Sequence, residues 1–136
     1  MALAREVRLR VRYHETDQGG VVYHAHYLYY FESGRTEFMR EAGVRYRDLE
    51  DAGILLVVAE ANLKYRASAR YDDELLVVTV VTELAGATVR FGYQVYREPD
   101  HLLLVEGDTR LACIGPDKRP RRLPTHVVAA LAPSGG

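Results

Sequence analysis

Between Tyr27 and Ala42 the apolar side chains recur at helical spacing, whereas Val7 to Tyr13 alternate with a two-residue period and the stretches after Leu55 read as strands. That single change of period is the strongest constraint on the fold. Tyr27, Phe31, Gly34, Phe38 and Ala42 line one face, and Glu32, Arg35, Glu37, Arg40 and Glu41 occupy the others. Gly43 follows as a stop, because glycine adopts a left-handed conformation at little cost. Gly34 sits mid-helix, where it costs about 1 kcal/mol relative to alanine, so a close backbone approach is expected there.

Before the helix, Val7, Leu9, Val11 and Tyr13 alternate with Arg8, Arg10 and Arg12. The two-residue period predicts a half-buried strand from Arg5 to Tyr13. It breaks at His14-Glu15-Thr16-Asp17-Gln18-Gly19-Gly20, a polar stretch that reads as a loop. A short helix is expected from Arg47 to Ala52, stopped by Gly53. Leu55–Arg66, Glu74–Leu84, Thr88–Arg97 and Leu102–Ile114 then read as strands. The last two connections, at Gly86 and at Pro99-Asp100, are short enough for antiparallel hairpins. A basic segment, Lys118 to Arg122, precedes a short helix from Thr125 to Leu131, and the tail from about residue 132 to 136 is expected to be mobile. The pattern predicts one α+β domain over residues 1–136, with the long helix packed on an antiparallel sheet.

Composition narrows the function. The chain has 136 residues, 48% of them apolar and 27% charged, in the range of a folded globular domain. A formal net charge of −1 argues against a broad nucleic-acid footprint, so no nucleic-acid partner is expected. No apolar run is long enough to span a bilayer and the N-terminal stretch does not read as a secretory signal, so a cytoplasmic protein is expected. The lone cysteine, Cys113, reads as a buried and inert thiol.

The chemistry concentrates in Tyr13–Arg35. Asp17 is a carboxylate in a glycine-bearing loop just before a helix N-terminus. Unpaired amides and the helix dipole at such an end favour negative charge, as an ester or thioester oxygen needs when it becomes an oxyanion. An Asp in that place also serves as a simple turn or cap residue. His24 and His26 do not read as a metal pair, since alternate residues entering a helix diverge and zinc needs three well-placed ligands; no metal is expected. No Gly-x-Ser-x-Gly elbow is present. Glu32 and Arg35, three apart on the helix, read as a structural pair, either with each other or across a subunit contact.

This stretch resembles the signature of the 4-hydroxybenzoyl-CoA thioesterase family of hotdog proteins. In particular it resembles the small bacterial acyl-CoA thioesterases associated with the Tol–Pal envelope system. The resemblance rests on Tyr13, Glu15-Thr16-Asp17, Gly19-Gly20, Val21-Val22-Tyr23-His24, Tyr27 and Phe31-Glu32 with Arg35. It continues weakly through Asn62–Ala69 and Arg122-Leu123-Pro124, and Glu15 stands where the family usually has Asp.

The resemblance implies the hotdog fold, a long helix wrapped by a curved antiparallel sheet. It implies acyl-CoA hydrolysis with Asp17 as nucleophile or general base, a backbone N–H near His24 polarising the carbonyl, and Tyr13 and His24 assisting. Tyr23 and Tyr27 are expected against the acyl group, with Tyr13, Tyr30 and Phe31 contributing to the pocket. Thr88 and Arg90 are expected near the coenzyme A phosphates, with Arg119, Arg121 and Arg122 as further candidates. Coenzyme A is part of the substrate, and no separate cofactor is expected. The resemblance also implies homodimers paired through their sheets with the site at the interface, and tetramers as dimers of dimers. Two rival readings are a non-catalytic acyl-CoA binding module and a hotdog hydratase or dehydratase. A third, an envelope interaction protein, follows only from the Tol–Pal resemblance.

Overall fold

The computed structural model describes residues 3–132; nearly all of the expected mobile tail lies outside them. Strand β1 (Ala4–Arg10) leads to helix α1 (Tyr27–Glu41) and the short helix α2 (Tyr46–Asp51). Strands β2 (Leu55–Tyr65), β3 (Glu74–Ala85), β4 (Thr88–Glu98) and β5 (Leu102–Ile114) follow, and α3 (Thr125–Leu131) closes the order. All pairings are antiparallel, and the sheet runs β1-β3-β4-β5-β2, so β1 and β2 are its edges.

Alternation along the strands decides which face the helix covers. One row crosses the sheet through Val7, Val77, Val95, Val105 and Tyr65, and the next through Arg5, Thr79, Tyr93, Gly107 and Leu63. Val77, Val95, Val105, Thr79 and Tyr93 in these rows are buried. Helix α1 lays Tyr27, Phe31, Gly34, Phe38 and Met39 on that face, and the Phe31 ring stacks on Tyr93 at 4.2 Å. Gly107 is the gap in the second row that admits Phe31: a side chain there would meet the Asn62 carbonyl and the Phe31 ring.

The expected close approach at Gly34 is present. A methyl on Gly34 would collide with the Thr79 hydroxyl and stand 2.9 Å from Val77 Cγ1. The helix therefore rests directly on β3, which no larger residue permits. Its C-terminus ends at Gly43 with φ +91°, as the stop signal predicts.

The first strand is shorter than its alternation suggests. It ends at Arg10, and Tyr13–Glu15 form a 3-10 turn in which the amides of Glu15 and Thr16 return to the carbonyls of Arg12 and Tyr13. Tyr13 thus leaves the sheet face and is 77% exposed, with its ring edge against Tyr71. Cys113 is fully buried on the helix-facing side of β5, where burial pushes its thiol pKa up and keeps it inert.

Gly34→Ala tests the packing argument. Alanine gains up to about 1 kcal/mol of helix propensity, but overpacking costs about 1–3 kcal/mol. A net loss of stability in urea is expected, and a more severe loss for Gly107→Ala, where backbone rather than a side chain must yield.

Candidate active site

The segment between β1 and α1 is a small hairpin rather than an open loop. The Asp17 amide donates to the Val21 carbonyl at 2.8 Å and the Tyr23 amide to the Glu15 carbonyl at 3.0 Å, with Thr16 bridging Val22 between them. The tip, Asp17–Gly20, closes through the Gly20 amide on the Asp17 carbonyl, and Gly20 takes φ +82°. Asp17 turns its Oδ1 onto the Gly19 amide at 2.8 Å, which orients the carboxylate and leaves Oδ2 without a partner among the described residues. In the single chain Asp17 is exposed.

The other arm of the hairpin runs straight into the helix. Residues His24–His26 form a 3-10 turn that continues into α1. The His26 amide is satisfied by the Tyr23 carbonyl, while those of His24 and Ala25 have no backbone acceptor among the described residues. These two free donors stand at the positive end of a 15-residue helix. Counting along the ladder, Asp17 lies about 7 Å from the residue that precedes them. One hairpin therefore carries both a carboxylate and an anion-stabilising helix end.

Besides the Val22 amide on the Ala69 carbonyl at 2.9 Å and the buried Val22 side chain, two side-chain contacts hold this unit to the rest of the molecule. Tyr65, at the end of β2, donates its hydroxyl to the His24 carbonyl at 2.8 Å. Glu15 is deeper: its Oε1 accepts from the Arg12 amide and the Tyr30 hydroxyl, both at 2.9 Å, and its Oε2 lies 3.3 Å from His26 Nε2. Burial alone would raise the Glu15 pKa; the Arg12 amide, the Tyr30 hydroxyl and His26 outweigh it and hold the carboxyl below its ordinary range. Burial and the adjacent Glu15 push the Tyr30 hydroxyl far upward, so it remains a donor. Neither Glu15 nor Tyr65 stands out in the sequence as an anchor.

Of the residues expected at the site, Asp17, Tyr13, Tyr23 and His24 are exposed along one rim. His24 packs its ring 4.6 Å from Tyr23 and edge-on to Tyr65. His26 diverges from His24 toward Glu15, as alternate positions require. Tyr27 departs from expectation: it is 2% exposed, with its hydroxyl accepting from the Ala69 amide, and it belongs to the core with Phe31. Arg90 does not stand free for a phosphate. Its guanidinium is shared by Asp108 at 2.8 Å, Glu83 at 3.2 Å and Glu60 at 3.5 Å on the sheet face away from α1. Thr88 bonds back to Ala85 in the hairpin turn. The basic segment lies against that turn, through the Leu123 amide on the Gly86 carbonyl, with Arg119, Arg121 and Arg122 exposed. Arg35 does not pair with Glu32; it turns inward toward the Tyr46 and Tyr93 hydroxyls.

The sequence pattern of the Thioesterase-like superfamily matches residues 11–131. The chain is 39% identical over 124 residues to the acyl-CoA thioesterase YbgC of Haemophilus influenzae, across 90% of each chain. It superposes on a hypothetical protein from Thermus thermophilus with TM-score 0.88 and 39% identity, over 93% of this chain and 96% of the other. A DHNA-CoA thioesterase from Staphylococcus aureus gives TM-score 0.85 and 32% identity, over 88% and 80%. Among the described residues no helix is long and apolar enough to cross a membrane.

Glu15→Ala strands the Arg12 amide and the half-buried Tyr30 hydroxyl, at an expected cost of about 1–3 kcal/mol in urea unfolding at neutral pH. Because the folded carboxyl titrates below its unfolded value of about 4.3, its ionic contribution is complete above that value and fades as pH falls through the folded one. The gap between wild type and variant should therefore narrow in acid, and a gap constant with pH would assign Glu15 no charge-dependent role.

Proposed function

Since the chain belongs to the Thioesterase-like superfamily and has its hotdog fold, we propose that it hydrolyses acyl-coenzyme A thioesters, with Asp17 as the reacting carboxylate. The observation that carries this reading is the hairpin that joins an oriented Asp17 to the free amides of His24 and Ala25. The thioester carbonyl oxygen sits at those amides, which gain strength as it becomes an oxyanion. Asp17 Oδ2 then drives the attack. As nucleophile it forms a C–O bond while the C–S pair leaves with the thiolate, and water opens the anhydride, returning the carboxylate. As general base it takes a proton from the water that attacks directly. After a single turnover in 18O-labelled water, label in Asp17 establishes the nucleophilic route, because water opening the anhydride at the Asp17 carbon leaves its oxygen there and direct attack of water on the thioester never does. The thiolate needs no strong acid, since a thiol of pKa about 8.5 is a good leaving group. His24 and Tyr13 flank the site and orient the water and the acyl group, with Tyr23 against the acyl chain. The scheme uses no metal or separate cofactor.

A second copy of the chain completes the site in this proposal. Strand β2 is an edge, and its Leu55, Val57, Val58 and Tyr65 are between 38% and 49% exposed. An exposed apolar edge is a template for pairing with another strand. Pairing two β2 edges continues the sheet, and because Tyr65 holds the His24 carbonyl, it brings the partner's surface over the Asp17 rim. The exposed Arg119, Arg121 and Arg122 then serve the phosphates of coenzyme A, in place of the occupied Arg90.

Thiol release from a panel of acyl-CoAs tests the chemistry. Asp17→Asn keeps an acceptor for the Gly19 amide, so the hairpin should stand while turnover falls about a hundredfold or more; undiminished turnover removes Asp17 from the mechanism. Val57→Asp on the β2 edge should yield a monomer by light scattering and abolish activity together, whereas an active monomer would refute the shared site.

A further inference from the structure

A cavity of about 450 Å³ opens between α1 and the β2 edge. Its walls are apolar where Ala25, in the turn before α1, and Leu28 of α1 face Val58 and Ala61 of β2. Two further residues on its lining, Arg35 and Thr109, are 8% and 1% exposed.

Arg35 is a buried cation short of partners. Its Nε lies 3.4 Å from the Tyr46 hydroxyl and its Nη1 3.5 Å from the Tyr93 hydroxyl, both at the long limit of hydrogen bonding. The Tyr93 hydroxyl is already committed to Thr109 at 2.6 Å. Among the described residues Nη2 makes no hydrogen bond and no carboxylate comes within 4.0 Å of the guanidinium, and Nη2 is not sealed off from the cavity, since the buried side-chain atoms without a partner are Arg5 Nε and Thr79 Oγ1. Glu32, one turn earlier, lines the same cavity but is exposed and does not reach it. Burying a guanidinium against hydroxyls alone is unfavourable, because a buried charge is stable only when paired and fully hydrogen-bonded. An oxygen-bearing group entering the cavity would supply what is missing.

The other end of the cavity fixes which part of a ligand that would be. Ala25 belongs to both the cavity lining and the pair of free amides. Ten helical residues separate it from Arg35, about 15 Å along the axis, and an arginine side chain on a helix leans back toward the N-terminus. An acyl group whose carbonyl rests at Ala25 therefore lays its methylenes along Leu28, Val58 and Ala61, and presents its far end to Arg35.

We propose that this cavity is an acyl pocket for chains of medium length ending in a carboxylate, and that Arg35 reads that carboxylate. The guanidinium fork matches a carboxylate in geometry and charge. The inference rests on the thioesterase reading above. It also gives Arg35 a specificity role in place of the ion pair with Glu32 that spacing alone suggested.

The test compares adipyl-CoA with hexanoyl-CoA, and suberyl-CoA with octanoyl-CoA, by kcat/KM on the full chain. The wild type should favour the carboxylated member by roughly tenfold or more in at least one pair. Arg35→Met should reverse that preference, raising KM for the carboxylated substrate while sparing the plain acyl chain, and Arg35→Lys should restore part of it. Equal or opposite preference in both wild-type pairs overturns the proposal, and that comparison decides even if the Arg35 variants do not fold. A dimer structure with Arg35 paired to a carboxylate of the second copy overturns it as well. If no acyl-CoA releases thiol, the failure belongs to the thioesterase reading instead, which keeps the two outcomes apart.

Discussion

The contact of α1 with β3 at Gly34 sets the geometry of everything else. A helix resting on Thr79 and Val77 with no side chain between them sits closer to the sheet than one spaced by leucines or valines. That closeness lets the Phe31 ring fill the gap over Gly107 and stack on Tyr93. It also fixes the height at which the N-terminal turn leaves the sheet, and hence where the amides of His24 and Ala25 stand. The position of the reactive groups is thus decided some ten residues away, in the core.

From that foundation the site is built by tension between two attachments. Glu15 draws the hairpin down onto Tyr30 and His26, while Tyr65 holds the His24 carbonyl from the end of β2. Each attachment joins the segment to a different element, one to the helix and one to the edge strand. The Asp17 hairpin, exposed and short, would otherwise be held by little beyond its own backbone bonds and the bridge of Val21 to Arg70. In the single chain its carboxylate is exposed.

Most of the scaffold was legible in the sequence, because period and punctuation carry it. The change from two-residue to helical spacing placed α1, Gly43 ended it, and the strands β2 to β5 fell within a residue of their expected bounds. Gly34 announced its own contact. What remained hidden depends on side-chain direction and long-range neighbours, which spacing does not encode. Tyr27 looks like a ligand contact beside Tyr23, yet the helical turn carries it inward to the Ala69 amide. Arg35 looks like a partner for Glu32, yet it lies on the buried flank of the same helix. Arg90 looks free until register sets it beside Asp108 and Glu83. At the site, the carboxylate and the helix start were readable from order along the chain, whereas the anchors Glu15 and Tyr65 required the fold.

The hairpin that bears Asp17 is closed by contacts between residues three to eight positions apart, whereas one wall of the cavity beside it, Val58, Ala61 and Thr109, comes from strands far along the chain. The carboxylate proposed to react and that wall therefore occupy separate stretches of the chain. Exchanges at Val58 or Ala61 would alter that wall without touching the bonds that close the Asp17 hairpin, so a scaffold of this kind can vary the one while keeping the other.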